Sequence, residues 1–533
     1  MPIYRSSVCP SVVSNRGVSR ILSALAGHHH GAGSRVRLAG VVVCLVLTAA
    51  CGSTVPLGTT TTGSIAGSNG AGANGEGLTA VRSASSSTQI GPGGITASGV
   101  AASDTSGGGG GTAGPAGSST LPTGRGSNKP IKVGYYLYNT QQAAALSVAF
   151  GYRGNPGDWG DGKAQSQLFV DYLNATGGLL RHPIQLVFSQ ANLQSDASTN
   201  EQAACAAFTQ DNHVTAVISG NGSDIDVLQK CLHKYNVPLI ESNVAAYANW
   251  TDASYKKFPL FAFVNGLSWN RLADAYVDQL VAEHYFTGWD PVSGQASAAQ
   301  GVKIGVVAPD TPEAHDAVDH YLQPALARRG LKFTDEAFVT AGSNDYSSVV
   351  LRFRSANVSH VLFTDISLLT FGPEAESQHY RPRYGLSTKS WPRGLTKVLP
   401  AGQLHGATGV GWMPLADMGL EAPQRPAPSA SEVRCVNMMT KGGQDMSHTE
   451  ARINAGYICD MGWLLRAAFT AGGGLGPNQW LAGLNALHSS VEPAVTFMSF
   501  YGPGRHDGVA RLRQLAYDDS CSCFQYKSGP IKV

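Results

Sequence analysis

From Pro130 to the end of this 533-residue chain, short runs rich in β-branched and aromatic residues alternate with stretches of helical periodicity. That alternation constrains the fold more than any other feature, because strands separated by helices pair in parallel and need cover on both faces. Strands are predicted at residues 131–136, 184–188, 214–219 and 237–240, with helical patterns between them. The rhythm breaks at the apolar run Phe261 to Val264 and restarts with a helix near 273–283 and strands at 302–308, 331–339 and 360–364. A body of about 400 residues exceeds what one core usually holds, so the reading is α/β with two lobes, the run at 260–264 being a crossover. Later, Ile453, Tyr457, Met461, Leu464, Leu465 and Ala468 recur every three or four residues, predicting a helix over 450–471 that Gly472-Gly473-Gly474 ends. Another helix is predicted over 478–487, and 510–524 reads as closing strands.

The chain before this body has a different texture. Leu38 to Ala50 is apolar or small, too short for a span that needs roughly 20 residues, and Arg35 and Arg37 precede it as a basic flank. Leu47-Thr48-Ala49-Ala50-Cys51 resembles the lipobox of a bacterial lipoprotein, which implies a signal peptide over 1–50 and acylation of Cys51; an ordinary signal peptide with an incidental cysteine is the alternative. His28, His29 and His30 fall in the leader and are not read as a metal site. Removal of residues 1–50 takes five arginines and no acids, so 38 basic and 36 acidic residues become 33 and 36. A formal charge of -3 does not mark a nucleic-acid binder. Residues 51–129 are mostly Gly, Ser, Thr and Ala and cannot bury enough apolar surface to offset their ordering entropy. They are expected to form a disordered tether with a reach of roughly 50 Å.

Cysteine usage agrees with export. Beyond Cys9, Cys44 and Cys51 the chain has Cys205, Cys231, Cys435, Cys459, Cys521 and Cys523, an even number suited to an oxidising compartment. Of the fifteen pairings, the near-neighbour set 205 with 231, 435 with 459 and 521 with 523 is favoured. No cysteine spacing resembles a zinc site.

Gly157 to Asn192 resembles the opening βαβ unit of type I periplasmic binding proteins of the branched-chain amino-acid-binding branch. Trp159-Gly160-Asp161, the run Leu173 to Gly178, and Pro183 to Phe188 carry that similarity. Val237 to Ser242 resembles a further family strand, and Ala341 to Tyr346 the stretch before a second-lobe helix. The resemblance implies two Rossmann-like lobes with parallel sheets joined by a three-strand hinge: 130–264 with 414–508, and 265–413 with 509–533. Ligand closes the cleft between such lobes.

Parallel sheets present strand C-terminal ends and helix N-termini to one crevice, where unsatisfied N–H groups favour anions. Gly222 and Ser223 follow one predicted strand and Ser242, Asn243 and Val244 the next; Trp159 offers an aromatic face. In the second lobe, the resemblance implies contacts near His315 and Asp365, and an acid for a ligand ammonium in a strand-end loop where this chain reads Tyr384 to Ser387. Ser387 is no carboxylate, which leaves amides and carboxylates as open as amino acids.

Catalytic patterns are thin. There is no G-x-S-x-G elbow and no phosphate-binding P-loop motif, and His315 and His320, five apart, diverge by about 140° on a helix. Asp316 and His320 read as a surface pair. The expectation is a non-enzymatic, cofactor-free clamp, lipid-anchored on the extracytoplasmic face of the cell membrane. It captures a small polar solute for an ABC importer permease; the alternative is a sensing or surface interaction protein built on the same clamp.

Overall fold

The computed structural model describes residues 128–138, 153–192, 195–220, 226–243, 248–340 and 345–533. The expected signal peptide, Cys51 and the tether up to residue 127 lie outside these residues, as do Gly222, Ser223 and Val244.

In chain order the strands are β1 (Ile131–Tyr138), β2 (Ile184–Ala191), β3 (Ala216–Ser219), β4 (Leu239–Glu241), β5 (Phe261–Phe263), β6 (Trp289–Asp290), β7 (Gln295–Ala296), β8 (Ile304–Pro309), β9 (Phe333–Val339), β10 (His360–Phe363), β11 (Arg383–Ser387), β12 (Thr408–Gly411), β13 (Arg511–Asp518), β14 (Cys523–Tyr526) and β15 (Ile531–Lys532). The first sheet runs β2-β1-β3-β4-β5 and every pairing in it is parallel. The second runs β14-β13-β12-β11-β10-β8-β9, with β15 on β13. Its β8 to β12 core is parallel, but β13 joins antiparallel to β12, and β14 and β15 to β13, so this sheet is mixed. A tight β13–β14 turn needs no crossover helix, which is why the closing strands turn back on themselves.

Local chemistry fixes the first βαβ unit. Val133 to Leu137 are buried in β1, and at Gly134 the Phe208 ring stands 2.7 Å from where a Cβ would sit. Asp161 caps the helix Gly162–Ala175, its carboxylate accepting from the N–H groups of Lys163 and Ala164 at 3.0 and 3.1 Å. At the other end Asn174 accepts from the Ile184 N–H at 2.7 Å and donates to the Ile184 carbonyl at 2.9 Å, clamping helix to β2. Gly178 then takes a left-handed φ of 64°, where a Cβ would strike the His182 carbonyl.

The long helix Thr449–Gly472 packs on β4 and beside Gly162–Ala175, and Gly473, at φ 71°, closes it with an N–H bonded to the Phe469 carbonyl. Inside it Asp460 is buried and accepts from the N–H groups of Ala494 and Val495 at 2.6 and 3.1 Å. Burial pushes its carboxyl up to about 7, against those bonds.

Between the sheets the chain crosses three times, and the crossings lie together. Gly508 N–H bonds to the Phe263 carbonyl and Val509 N–H to that of Gly266, while the Trp412 indole donates to the Asn265 carbonyl at 3.1 Å. Asp507 anchors the bundle: one of its oxygens accepts from Ser268 N–H, Ser268 Oγ and the Arg271 guanidinium, all within 3.0 Å.

Disulfides join Cys205 to Cys231, Cys435 to Cys459 and Cys521 to Cys523, with Cα separations of 6.2, 6.2 and 5.1 Å. Each lies among elements packed on a single sheet.

Candidate functional site

The segments that follow β4 and β11 meet, Lys389 Nζ donating to the Ala248 carbonyl. After β4, Ser242 and Asn243 are fully buried. Ser242 Oγ donates to Met461 Sδ at 3.6 Å, and the Asn243 carbonyl accepts from the Asn265 amide at 2.7 Å. Trp159 is half-buried, and its ring centroid lies 5.8 Å from that of Trp391, across from the first sheet's elements to the second's.

Asp365, after β10, is buried with its Oδ1 accepting the Ser367 N–H at 3.0 Å. Burial pushes its carboxyl up to about 6, while bonds from Ser367 and the charge of Lys389 pull the other way. Ser387 is the last residue of β11, so the stretch Tyr384 to Ser387 is strand and the loop at its end is Thr388 to Trp391. Ser387 Oγ accepts the Lys389 N–H at 3.2 Å, which folds that loop into its first turn. The His315 side chain is 43% exposed, pairs with Asp310 at 3.0 Å and stacks on Phe338. His320 pairs with Asp316 at 2.8 Å on the surface.

The structure adds residues that the pattern of the sequence did not single out. Lys389 has a relative exposure of 1%, and its Nζ donates at 2.5 Å to the Ala248 carbonyl, beyond the end of β4. Trp391 adopts a left-handed conformation, φ 50° and ψ 64°, rare for a bulky side chain, and its ring lies over Gly394, where no side chain intervenes. Arg393, on the helix Pro392–Val398, meets Glu450 at 2.5 Å with both side chains buried, and Glu421 at 2.9 Å. Thr251 Oγ1 donates to Asp316 at 2.6 Å and the Tyr321 hydroxyl to Asp252 at 2.5 Å. All of these bonds join elements of one sheet to elements of the other. The available signal was the charge itself: Lys389 and Arg393 bracket Trp391 directly after a strand.

Among the described residues no three His, Cys, Asp or Glu side chains gather to hold a metal ion.

A family model described as "Periplasmic binding protein" matches residues 150–506. Among solved structures, an ABC transporter solute-binding protein from R. palustris, in complex with 4-hydroxybenzoate, aligns with a TM-score of 0.54 at 10% identity, covering 76% of this chain and 97% of that one. A branched-chain amino acid ABC transporter protein from Thermus thermophilus, with bound valine, gives 0.54 at 12%, covering 76% and 98%. A type 1 periplasmic binding protein from Bordetella pertussis Tohama I gives 0.53 at 14%, covering 75% and 100%. Among curated proteins, no sequence matches significantly.

Proposed function

We propose, from the premise that this chain belongs to the periplasmic binding protein family, that it is an extracytoplasmic solute-binding protein that delivers a small polar solute to an ABC importer. The family binds solutes and is not one of enzymes. The halves 130–264 with 414–508 and 265–413 with 509–533 act as jaws on the three crossings, and the gain from touching both sides drives closure. Cys51 carries lipid, and residues 52–129 tether the jaws to the membrane. Trp159, Ser242, Asn243, His315, Asp365 and Ser387, with Gly222, Ser223 and Val244, contribute to the solute site.

The observation that carries this reading is the family match over residues 150–506, laid on two mainly parallel sheets. That the valine and 4-hydroxybenzoate proteins share the fold supports small polar solutes as the class to screen. Two measurements test it. Fractionation of cells expressing the full chain is expected to place it with the membrane and Cys51→Ala in the soluble fraction; retention of the variant on the membrane refutes the anchor. Thermal-shift screening of amino acids, amides and small carboxylates is expected to give at least one saturable stabilisation, and flat curves throughout count against capture of such solutes.

A further inference from the structure

The three disulfides of this chain differ in what closing them can do. Cys205–Cys231 and Cys435–Cys459 join residues 26 and 24 apart, and each keeps at least one cysteine buried. Cys521 and Cys523 are only 2 apart. In the chain-entropy account so short a loop restrains the unfolded chain about half as much as either of the longer ones. The hairpin that carries it is also held without it. β13 and β14 pair from Leu515 with Tyr526 to Asp518 with Cys523, and in the turn Asp518 accepts from Ser520 N–H at 3.0 Å and Ser520 Oγ at 2.6 Å and pairs with Lys527 at 3.0 Å. Between the two cysteines Ser522 holds a left-handed φ of 50°, which a residue with a Cβ rarely takes.

Thiol–disulfide exchange needs access to one sulfur and a stabilised thiolate leaving from the other. β14 is an edge strand of its sheet, both cysteines are partly exposed, and Ser522 at the turn is exposed. Gln525 is buried and aims its amide at the pair, Nε2 standing 3.3 Å from Cys521 Sγ and 3.8 Å from Cys523 Sγ. Such an N–H gains more from a thiolate than from a neutral disulfide, because hydrogen bonds to ionised acceptors are the stronger ones.

We propose that Cys521–Cys523 is a redox-exchangeable pair, reduced by an external dithiol protein while the other two bridges stay closed, an activity separate from solute capture. A thiolate of the donor attacks Cys523 Sγ, the Cys521–Cys523 bond breaks, and Cys521 leaves as a thiolate held by the Gln525 amide. The donor's second thiol then attacks the mixed disulfide and releases Cys523. The donor departs as its own disulfide, two electrons pass to the chain, and the donor's two thiol protons end on Cys521 and Cys523.

The test uses the full-length protein in detergent at neutral pH, with dithiothreitol as a small dithiol and a thioredoxin as a protein-sized one. Free thiols are trapped with a maleimide over time and located by peptide mapping. Both donors are expected to open Cys521–Cys523 roughly tenfold or more faster than either other bridge. Replacing both cysteines, Cys521→Ser with Cys523→Ser, should leave the melting temperature close to that of wild type. Gln525→Leu, or Gln525→Met if the leucine variant fails to fold, should slow the opening several-fold and move the pH midpoint of Cys521 alkylation in the reduced protein upward, a change that a purely structural role for the amide would not produce. Opening no faster than at the other bridges with either donor, or a double serine variant that melts far below wild type, overturns the proposal. Unchanged rates and an unchanged pH midpoint in the folded Gln525 variant overturn the assignment of Cys521 as the leaving sulfur.

Discussion

The contact between Arg393 and Glu450 offers the sharpest handle on how the two halves hold together. Glu450 lies in the first turn of Thr449–Gly472, on the first sheet's side, and Arg393 on the helix that packs against β14. Their side chains are 5% and 8% exposed with nitrogen and oxygen 2.5 Å apart. Removing one partner of a buried ion pair costs about 3–5 kcal/mol, because the other charge stays buried without its counterion. In Glu450→Gln the guanidinium keeps Glu421, but that carboxylate is 53% exposed and screened, so the lower end of the range applies. On the proposed hinge motion, separation of the halves returns both groups to water and the loss disappears. The penalty of about 3 kcal/mol therefore falls on closure alone, shifting that equilibrium roughly a hundredfold toward the open form. Single-molecule energy transfer between dyes on cysteines placed at the exposed positions Val292 and Val433 reads the populations directly. Glu450→Gln is expected to populate a low-transfer state, and Arg393→Met with Glu450→Met to return most of the population to high transfer, since an apolar pair of similar volume leaves no stranded charge. Unchanged transfer in a folded Glu450→Gln, or a double variant as open as the single one, would refute the reasoning.

Three further outcomes follow from packing and charge. Glu241 is buried, and burial first, then the neighbouring Glu201, holds its carboxyl well above the usual range. The folded chain thus binds this proton more tightly than the unfolded chain, so its contribution is fully present below the unfolded value of 4.5 and is lost as pH rises through the folded one. Glu241→Gln should raise the melting temperature relative to wild type by an amount that grows between pH 5 and 8, and a constant difference would contradict this. At Gly483 a Cβ would stand 1.8 Å from the Ala468 carbonyl of the adjoining helix; Gly483→Ala is expected to lose about 1–3 kcal/mol in urea unfolding, and an undiminished midpoint would show that the helix pair yields. Deleting the Cys435–Cys459 bridge as a double alanine variant should lower stability by roughly 3 kcal/mol while leaving the energy-transfer populations unmoved, because both cysteines lie on one side.

Most of the scaffold was legible because periodicity and punctuation are local. The helix expected over 450–471 is Thr449–Gly472, and its glycine stop works through the left-handed Gly473. Asn174, read as part of a motif, turns out to be a clamp on Ile184. Where partners are distant in sequence the pattern was silent. β11 and β12 are four or five residues long with glycines inside them, too brief to carry a period. The antiparallel return of β13 depends on a register with β12 more than a hundred residues earlier. Lys389 looked like any surface lysine until the loop after β11 was folded against Ala248. Arg393 needed Glu450, 57 positions away, before its burial had a cause.

Three crossings also set an order of events during synthesis. β5 ends at Phe263, yet the helix that packs on β4 begins only at Thr449. At the usual pace of about 5–20 residues per second, the first sheet's edge emerges roughly 10–40 s before its lid is made. Neither half is a contiguous stretch of message, so neither can finish until nearly the whole polypeptide exists. A nascent chain of this design stays incomplete, and therefore threadable, for most of its birth.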